Sequence, residues 1–214
     1  MGLGADHTWP FERQSGWAGP VARPEGQAVK GPSFEVLSAS TDQGLIEAFL
    51  AGQSEAFDLL VERHRRHVYQ LCYRFVGNHD DAADLAQEVF IRAFRGLTRF
   101  KGESSISTWL YRIGVNACLN RVSVKRPDTE PVDATERVDG RAIDPLAEVA
   151  RREMSGSIRQ AIRQLPPKQR ATVVLRVYQE LSHEEIARVL GSSVGAVKAN
   201  FFHALGNLRR IMNP

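Results

Sequence analysis

Four hydrogen-bonding side chains recur every fourth residue between Phe100 and Arg126. The four are Thr108, Arg112, Asn116 and Asn120. This spacing places them on one face of a helix, and Trp109 lies beside that face. Amides, a guanidinium and an aromatic ring on one surface suit bases and phosphates better than small metabolites. An ordinary surface helix with Trp109 as a core anchor is the alternative, and this segment alone does not separate the two.

The apolar residues of the same segment predict how its polar face is positioned. They recur at intervals of three or four and form one inward stripe: Ile106, Leu110, Ile113 and Ala117. The preceding residues, Lys101–Ser105, are polar and predict a loop. Basic residues near the end, from Arg121 to Arg126, suit the negative end of the helix dipole.

A second helix, predicted over Asp80–Phe94, carries a small acidic patch with an apolar centre. Its inner face is formed by Leu85, Val89, Phe90 and Phe94. The patch on its other side is formed by Asp84, Gln87, Glu88 and Ile91. An isolated acidic face is usually only solvated. Next to a nucleic-acid surface it would repel DNA and so be free to meet a basic protein partner.

Two short helices joined by a glycine-containing turn are predicted between Leu181 and Arg209. Ser182 and Glu185 have the spacing of a capping box, Gly191 ends the first helix, and Ser193 caps the second. The inner face of the second helix is Val197, Phe201, Ala204 and Leu208. Its nearly bare outer face is Gly195, Ala199, Phe202 and His203, with Lys198 at the flank.

This pattern predicts a helix-turn-helix whose second helix enters the DNA major groove. Small residues let the backbone approach, Phe202 can meet a thymine methyl, and Lys198 and His203 reach bases or phosphates. The alternative is a plain helical hairpin with Phe202 in its core.

Charge and composition divide the chain. Residues 150–214 carry 11 Lys/Arg against 4 acidic residues, whereas residues 128–149 carry 2 against 7 and include Pro131 and Pro145. We therefore predict an all-α protein with two small helical domains, residues 42–127 and 150–214, joined by a flexible acidic linker, residues 128–149. Residues 1–41 are rich in Gly, Pro, Ser and Ala and predict a disordered extension, with order beginning near Thr41 or Asp42.

The first domain is expected to begin with a short helix that stops at Gly52. Ser54 is then predicted to cap a longer helix, which ends at Gly77-Asn78. His64 and His67 lie at a spacing of three on this helix. A metal site there lacks two further ligands, so solvated or core-edge histidines are the preferred interpretation.

Several classes of function are disfavoured. Two cysteines, Cys72 and Cys118, form neither a disulfide framework nor a CxxC site and are expected to be buried thiols in a cytoplasmic protein. No apolar run approaches the roughly 20 residues of a membrane span, and the first residues do not resemble a signal peptide. No phosphate-binding glycine loop, metal set or nucleophile–base pair appears, so we expect no cofactor, no metal and no enzymatic activity.

Three motifs together resemble the bacterial sigma-70 family, in its small extracytoplasmic-function (ECF, group 4) type. They are DDAADLAQEVFIRAF at Asp80–Phe94, STWLYRIGVNACLNR at Ser107–Arg121 and LSHEEIARVLGSSVGAVK at Leu181–Lys198. The resemblance implies an RNA polymerase subunit that keeps sigma regions 2 and 4, joined by a linker too short for a folded region 3. It covers about residues 42–126 and 150–214 and not the N-terminal extension.

The resemblance also implies roles for residues. Asp84, Gln87, Glu88 and Ile91 would bind the β′ clamp of core RNA polymerase. The β subunit of the polymerase is expected to be a further partner. The −10 element would be opened and held by Lys101, Ser104, Thr108, Trp109, Arg112, Asn116 and Asn120. The −35 element would be read by Ser193, Gly195, Lys198, Ala199, Phe202 and His203. An anti-sigma factor would be expected to bind the protein and to control its release.

The recognition helix departs from many such relatives, because Ala196, Ala199 and Asn200 stand where Thr, Ser and Arg are common. Fewer donors indicate either a different −35 sequence or greater reliance on DNA shape. The alternative function is a stand-alone helix-turn-helix regulator whose first domain dimerises or senses. Such a regulator would have no use for the acidic patch at Asp84–Ile91.

Overall fold

The computed structural model describes residues 34–124 and 156–213, and every regular element in those ranges is helical. The predicted all-α class is therefore confirmed. The linker at residues 128–149, the domain boundaries at 127 and 150, and Lys125 and Arg126 lie outside the described residues. So do residues 1–33 of the extension.

The N-terminal group of helices begins earlier than predicted. Its elements are α1 (Phe34–Ala39), α2 (Asp42–Leu50), α3 (Glu55–Val76), α4 (His79–Gly96), a 3-10 turn (Leu97–Arg99) and α5 (Ile106–Val124). The expectation that order starts at Thr41 or Asp42 was wrong for α1. Leu37 of this helix is only 5% exposed and packs α1 against the core, although the sequence around it shows no helical periodicity.

Local hydrogen bonds explain where most of these helices begin and end. Thr41 caps α2 by accepting from the Gly44 amide, and Asn78 caps α4 by accepting from the Asp81 amide. Gly77 ends α3 in the left-handed region at φ 79°. The predicted cap at Ser54 was wrong, because its backbone is already helical and its side chain makes no cap hydrogen bond.

The core of this group lies where α3, α4 and α5 meet. The rings of Phe49, Phe57 and Phe94 form one edge of it, with centroids 5.1–5.6 Å apart. Gly114 of α5 faces α3 and α4, where an added Cβ would lie 2.9 Å from Leu71 Cδ2 and 3.6 Å from Val89 Cγ2. The absence of a side chain at Gly114 thus permits the close contact.

The two histidines of α3 have different environments. His64 is buried, and its Nε2 lies 2.9 Å from Asp42 Oδ2. Arg63 donates to the other oxygen of the same carboxylate at 3.1 Å, so Asp42 ties α2 to α3. His67 is exposed. Within the described ranges, no three His, Cys, Asp or Glu side chains are grouped as a metal site.

Both cysteines are free and fully buried, as predicted, on the facing helices α3 and α5. The Cys118 thiol hydrogen-bonds to Cys72. That bond and burial raise the pKa of Cys118 well above its usual range. The Cys118 thiol is therefore held in the protonated form, which is the poor nucleophile.

The C-terminal group contains α6 (residues 156–164), α7 (Pro167–Val173), α8 (His183–Leu190) and α9 (Val194–Met212). Pro167 begins α7, a position where its missing N–H costs no helical hydrogen bond. Directly after α7, Val174–Tyr178 forms a π-helical turn. The capping box of Ser182 and Glu185 is present, and Gly191 ends α8 in the left-handed region.

The two groups pack against each other. The π-turn contacts α3, and α7 and α8 contact α5. Buried apolar residues of both groups form one continuous cluster. No helix in the described parts of the chain has the length and apolar character needed to cross a bilayer.

The capping box generates a test of how α8 is stabilised. Hydrogen bonds from Ser182 lower the pKa of Glu185 from its ordinary value of 4.5. Because the folded pKa is the lower one, the stabilisation is complete above pH 4.5 and is lost as pH falls through the folded value. We expect Glu185→Gln to lower the free energy of unfolding by about 0.5 kcal/mol at pH 7.

That difference should shrink below pH 4.5, the ordinary value for this carboxyl, in denaturant titrations at several pH values. The exposed neighbour Glu184 provides the matched control, Glu184→Gln, which keeps the capping box intact. An equal pH dependence in both variants would show that the box does not hold the Glu185 carboxylate.

Candidate nucleic-acid interface

The polar face of α5 points outward along most of its length. Arg112, Asn116 and Asn120 are exposed, while Ile106, Leu110 and Ala117 on the other side are buried. Their predicted outward placement is confirmed. Arg112 forms no ion pair with another residue in the described ranges. This surface offers two amides and one cation to a ligand, spaced one helical turn apart.

Thr108 is not exposed, so its predicted placement on the outward polar face was wrong. It is only 5% exposed, and its hydroxyl lies 2.8 Å from the hydroxyl of Ser105. Ser105 also accepts from the Thr108 amide at 3.2 Å, which satisfies a donor of the first turn of α5. Sequence reasoning missed this role of Ser105, although a serine directly before an apolar helical pattern is a known start signal.

Trp109 is a half-buried anchor at the base of the loop. Its ring centroid lies 5.3 Å from that of Phe100. A Cβ added at Gly96 would lie 3.4 Å from Trp109 Cζ2, so the end of α4 leaves room for the indole. Lys101 is exposed and Ser104 is half-buried in the loop above it. Trp109 thus holds the loop in place and presents only part of its ring to solvent.

The acidic patch lies on the outer side of α4. Asp84 and Gln87 are exposed, and Ile91 is half-buried between them and the end of the helix. Glu88 pairs with Arg92 at 2.5 Å, so one of the two carboxylates is partly neutralised. The patch is therefore an apolar side chain edged by polar groups, with less negative charge than its sequence indicates.

The helix-turn-helix has the predicted orientation. Phe202 is 74% exposed on α9, whereas Phe201 faces inward and contacts the ring of His183 at 6.0 Å. This exposure excludes the hairpin with Phe202 in its core. The hydroxyl of Ser193 accepts from the Ala196 amide at 3.2 Å and so caps α9. The remaining predicted −35 residues are all exposed: Gly195, Lys198, Ala199 and His203.

The outer surface of α9 combines a flat apolar ring with cationic and imidazole groups. The rings of Phe202 and His203 lie edge to face at 5.8 Å. Beside these rings, the small residues Gly195 and Ala199 leave the helix backbone accessible to a close approach. This is the shape and chemistry that a groove-reading helix needs.

Comparison with known proteins decides the family. Residues 60–126 match the model described as sigma-70 region 2, and residues 155–208 match the model described as sigma-70, region 4. The RNA polymerase sigma-H factor of Pseudomonas aeruginosa is 36% identical over 188 residues, covering 84% of this chain and 97% of that protein. The chain belongs to the sigma-70 family, in its ECF branch.

Further relatives agree with this sigma factor assignment. The ECF RNA polymerase sigma-E factor of Escherichia coli is 38% identical, covering 77% of this chain and 90% of that protein. The solved structure of CnrH with the cytosolic domain of CnrY is 26% identical, with a TM-score of 0.61 over 80% of this chain and 97% of that one. Sigma factor RpoE of Bartonella quintana, 18% identical with a TM-score of 0.58 over 73% and 96%, shares the fold. These findings support the sigma factor over the stand-alone regulator.

The opposite orientations of two adjacent phenylalanines generate a test of the recognition helix. We expect Phe201→Ala to lower the free energy of unfolding by about 2 kcal/mol, because it removes a ring packed against the core. Phe202→Ala should change it by less than about 0.5 kcal/mol, because its ring already meets water. Urea unfolding followed by circular dichroism measures both, and a larger loss for Phe202→Ala would contradict this orientation of α9.

Proposed function

We propose that this sigma factor binds core RNA polymerase through its N-terminal domain, residues 42–127, and positions the enzyme at promoters with both domains. The N-terminal domain opens and holds the −10 element, and the C-terminal domain, residues 150–214, reads the −35 element. The observation that carries this proposal is the exposed recognition surface of α9, with Phe202 74% exposed beside Lys198 and His203. The protein acts in the cytoplasm, by binding rather than by catalysis.

Contact with polymerase is assigned to the outer side of α4. Asp84 and Gln87 are exposed there around the half-buried Ile91, and Glu88 has its carboxylate engaged by Arg92. An apolar centre with a polar rim is the usual anatomy of a protein interface. The expected occupant is the β′ clamp, with further contacts to the β subunit made elsewhere on the protein. The negative charge keeps this surface off the DNA phosphates.

Opening of the −10 element is assigned to the outer face of α5 and the loop before it. Arg112, Asn116 and Asn120 offer donors to bases and phosphates, and Lys101 and Ser104 offer further donors from the loop. Extruding a base costs a few kcal/mol of lost stacking, which these contacts must offset. Thr108 and Trp109 contribute indirectly, because their contacts with Ser105 and Phe100 position the loop and the start of α5.

Control by an anti-sigma factor is the last part of the proposal. CnrH was solved with the cytosolic domain of CnrY, and the RpoE structure contains the anti-sigma factor NepR. We extend a partner of this class to the present chain. Transcription in vitro with core polymerase on a mixed promoter library, with and without this protein, tests the whole proposal. A protein that binds duplex sites alone and never directs core polymerase would overturn it.

Charge reversal tests the polymerase contact. We expect Asp84→Lys with Glu88→Lys to weaken binding to core polymerase by at least tenfold, because both side chains border the apolar centre of the patch. The fold should persist, since Asp84 is exposed and the surface pair of Glu88 with Arg92 stabilises by less than about 1 kcal/mol. Binding is measured by fluorescence anisotropy against core enzyme.

The matched control for that experiment is Glu47→Lys with Glu62→Lys, which reverses two exposed acids on α2 and α3. It makes the same change in net charge away from α4. If the two double variants bind core polymerase equally, the α4 assignment is wrong.

Removal of the two amides of α5 tests promoter opening. We expect Asn116→Ala with Asn120→Ala to reduce open-complex formation by about tenfold, because two good base contacts are lost. Binding of a −35 duplex should be unchanged. Gln160→Ala with Gln164→Ala removes two exposed amides from α6 and is the control. Permanganate reactivity of unpaired thymines reports opening, and equal losses in opening and −35 binding would refute the assignment.

A further inference from the structure

The last turn of α5 is joined to the first turn of α4 by an ion pair between residues 40 positions apart. Arg121 Nη1 donates to Asp81 Oδ1 at 2.9 Å. Neither side chain is freely solvated, because that of Arg121 is 33% exposed and that of Asp81 is 18% exposed. Each charge also suits its own helix, since Asp81 lies at the positive end of the α4 dipole and Arg121 at the negative end of the α5 dipole. The pair therefore links two helix ends by a short, directed contact.

The carboxylate of Asp81 is held in place from its own helix. Asn78, the N-cap of α4, donates from Nδ2 to Asp81 Oδ2 at 2.7 Å, and its Oδ1 accepts from the Asp81 amide at 2.7 Å. One carboxylate oxygen is thus bound by Asn78, and the other accepts from Arg121. Because its orientation is fixed from within α4, Asp81 defines where the guanidinium and the end of α5 can lie.

This contact lies at the part of α5 that apolar packing holds least. The middle of the helix is held by its close contact with α3 and α4, and Cys118 is the last of its described side chains to be fully buried. Beyond it, Leu119 and Val122 are only half-buried. The exposed Asn120 directly precedes Arg121. The ion pair therefore holds the turn from which Asn120 projects.

Small movements of this turn would matter to a bound base. A side-chain tip lies about 5 Å from the helix axis, so a rotation of the turn by about 20° moves the tip by about 2 Å. A hydrogen bond does not survive such a shift, because its donor–acceptor distance falls within about 2.7–3.2 Å. A partly exposed ion pair adds little to overall stability. The main effect of the pair is therefore on the orientation of the amides, and not on whether the helices fold.

We propose that Arg121 and Asp81 are positioning residues for the −10 element, which act by orienting the amides of Asn120 and of Asn116 one turn before it. The inference rests on the proposed function of α5. A direct contact of Arg121 with a DNA phosphate is the competing role, and Asp81 separates the two. A carboxylate beside DNA repels phosphate, so its removal would strengthen a direct contact of Arg121 but weaken the positioning of the amides.

The test uses Asp81→Asn and Arg121→Met in the full chain, with core polymerase saturated by each variant, on a promoter that the holoenzyme transcribes. Each change should reduce open-complex formation about fivefold, read from the permanganate reactivity of unpaired thymines. The double variant should lose no more than either single variant, since the second change breaks a contact already lost. Arg121→Lys should keep most of the wild-type opening, because a single nitrogen of Arg121 makes the contact and an ammonium can replace it.

A second set of variants tests whether the pair acts through the amides. Asn116→Ala with Asn120→Ala should reduce opening about tenfold in the wild-type background but less than about twofold in combination with Arg121→Met, because the amides are then already misplaced. Equal costs in both backgrounds would overturn the positioning role. So would a gain in opening from Asp81→Asn, which would show that Arg121 contacts DNA directly.

Arg63→Met is the matched structural control. The Arg63 side chain is 31% exposed and also joins two helices through an aspartate, Asp42, but between α2 and α3. Arg63→Met and Arg121→Met should lower the urea midpoint of unfolding to a similar, small extent, whereas only Arg121→Met should reduce opening. Equal losses of opening would reduce the Asp81 pair to a structural contact.

The outcomes separate the two proposals. If wild type opens no promoter with core polymerase, or if opening does not depend on the amides of α5, the proposed function of α5 fails and the positioning role with it. If opening depends on the amides but survives Arg121→Met unchanged, the positioning role alone is overturned.

Discussion

The contact of α5 with α3 and α4 at Gly114 is the constraint on which the position of the polar outer face of α5 depends. With Leu71 Cδ2 only 2.9 Å from where a Cβ would lie, α5 is held closely against its neighbours. A helix held at this distance on one side cannot rotate without driving a larger side chain into the core. Arg112, Asn116 and Asn120 are therefore fixed toward solvent by packing on the far side of the same helix.

Close packing also explains how an acidic surface and a donor-rich surface coexist on the N-terminal group of helices. The buried sides of α4 and α5 meet in the core, so their outer sides face different directions. The acidic groups on α4 are thereby separated from the cation and amides on α5. The pair of Glu88 with Arg92 further limits the negative field near the loop. A group of helices of this size can thus carry an acidic surface and a donor-rich surface on separate sides.

Much of this organisation could be predicted from helical periodicity, and the exceptions have physical causes. The faces of α4, α5 and α9 follow from which residues must be buried, so Phe202 and Asn116 were placed correctly. Thr108 was not, because a hydroxyl can turn inward when it shares a hydrogen bond with a neighbouring hydroxyl, here that of Ser105. Ser54 precedes α3 without capping it, because its backbone is already helical. Polar residues near helix ends thus depend on local geometry that spacing does not encode.

Contacts between the two groups could not be predicted from the sequence. Arg170 follows Lys168 and Gln169 in the sequence, and nothing in this position indicates that its side chain reaches a carbonyl 95 positions away. The π-turn at Val174–Tyr178 also has no sequence signal, since its residues suit an ordinary helix. Such long-range contacts depend on how the groups meet, which periodicity within each helix does not specify.

The buried thiols of Cys72 and Cys118 provide a way to measure transient opening of the N-terminal core. Because both are buried while α3 and α5 are packed, an alkylating reagent can modify them only when those helices separate. The rate of alkylation would then measure how often α3 and α5 separate in the folded protein. The native cysteines therefore report local unfolding of the N-terminal core without any introduced probe.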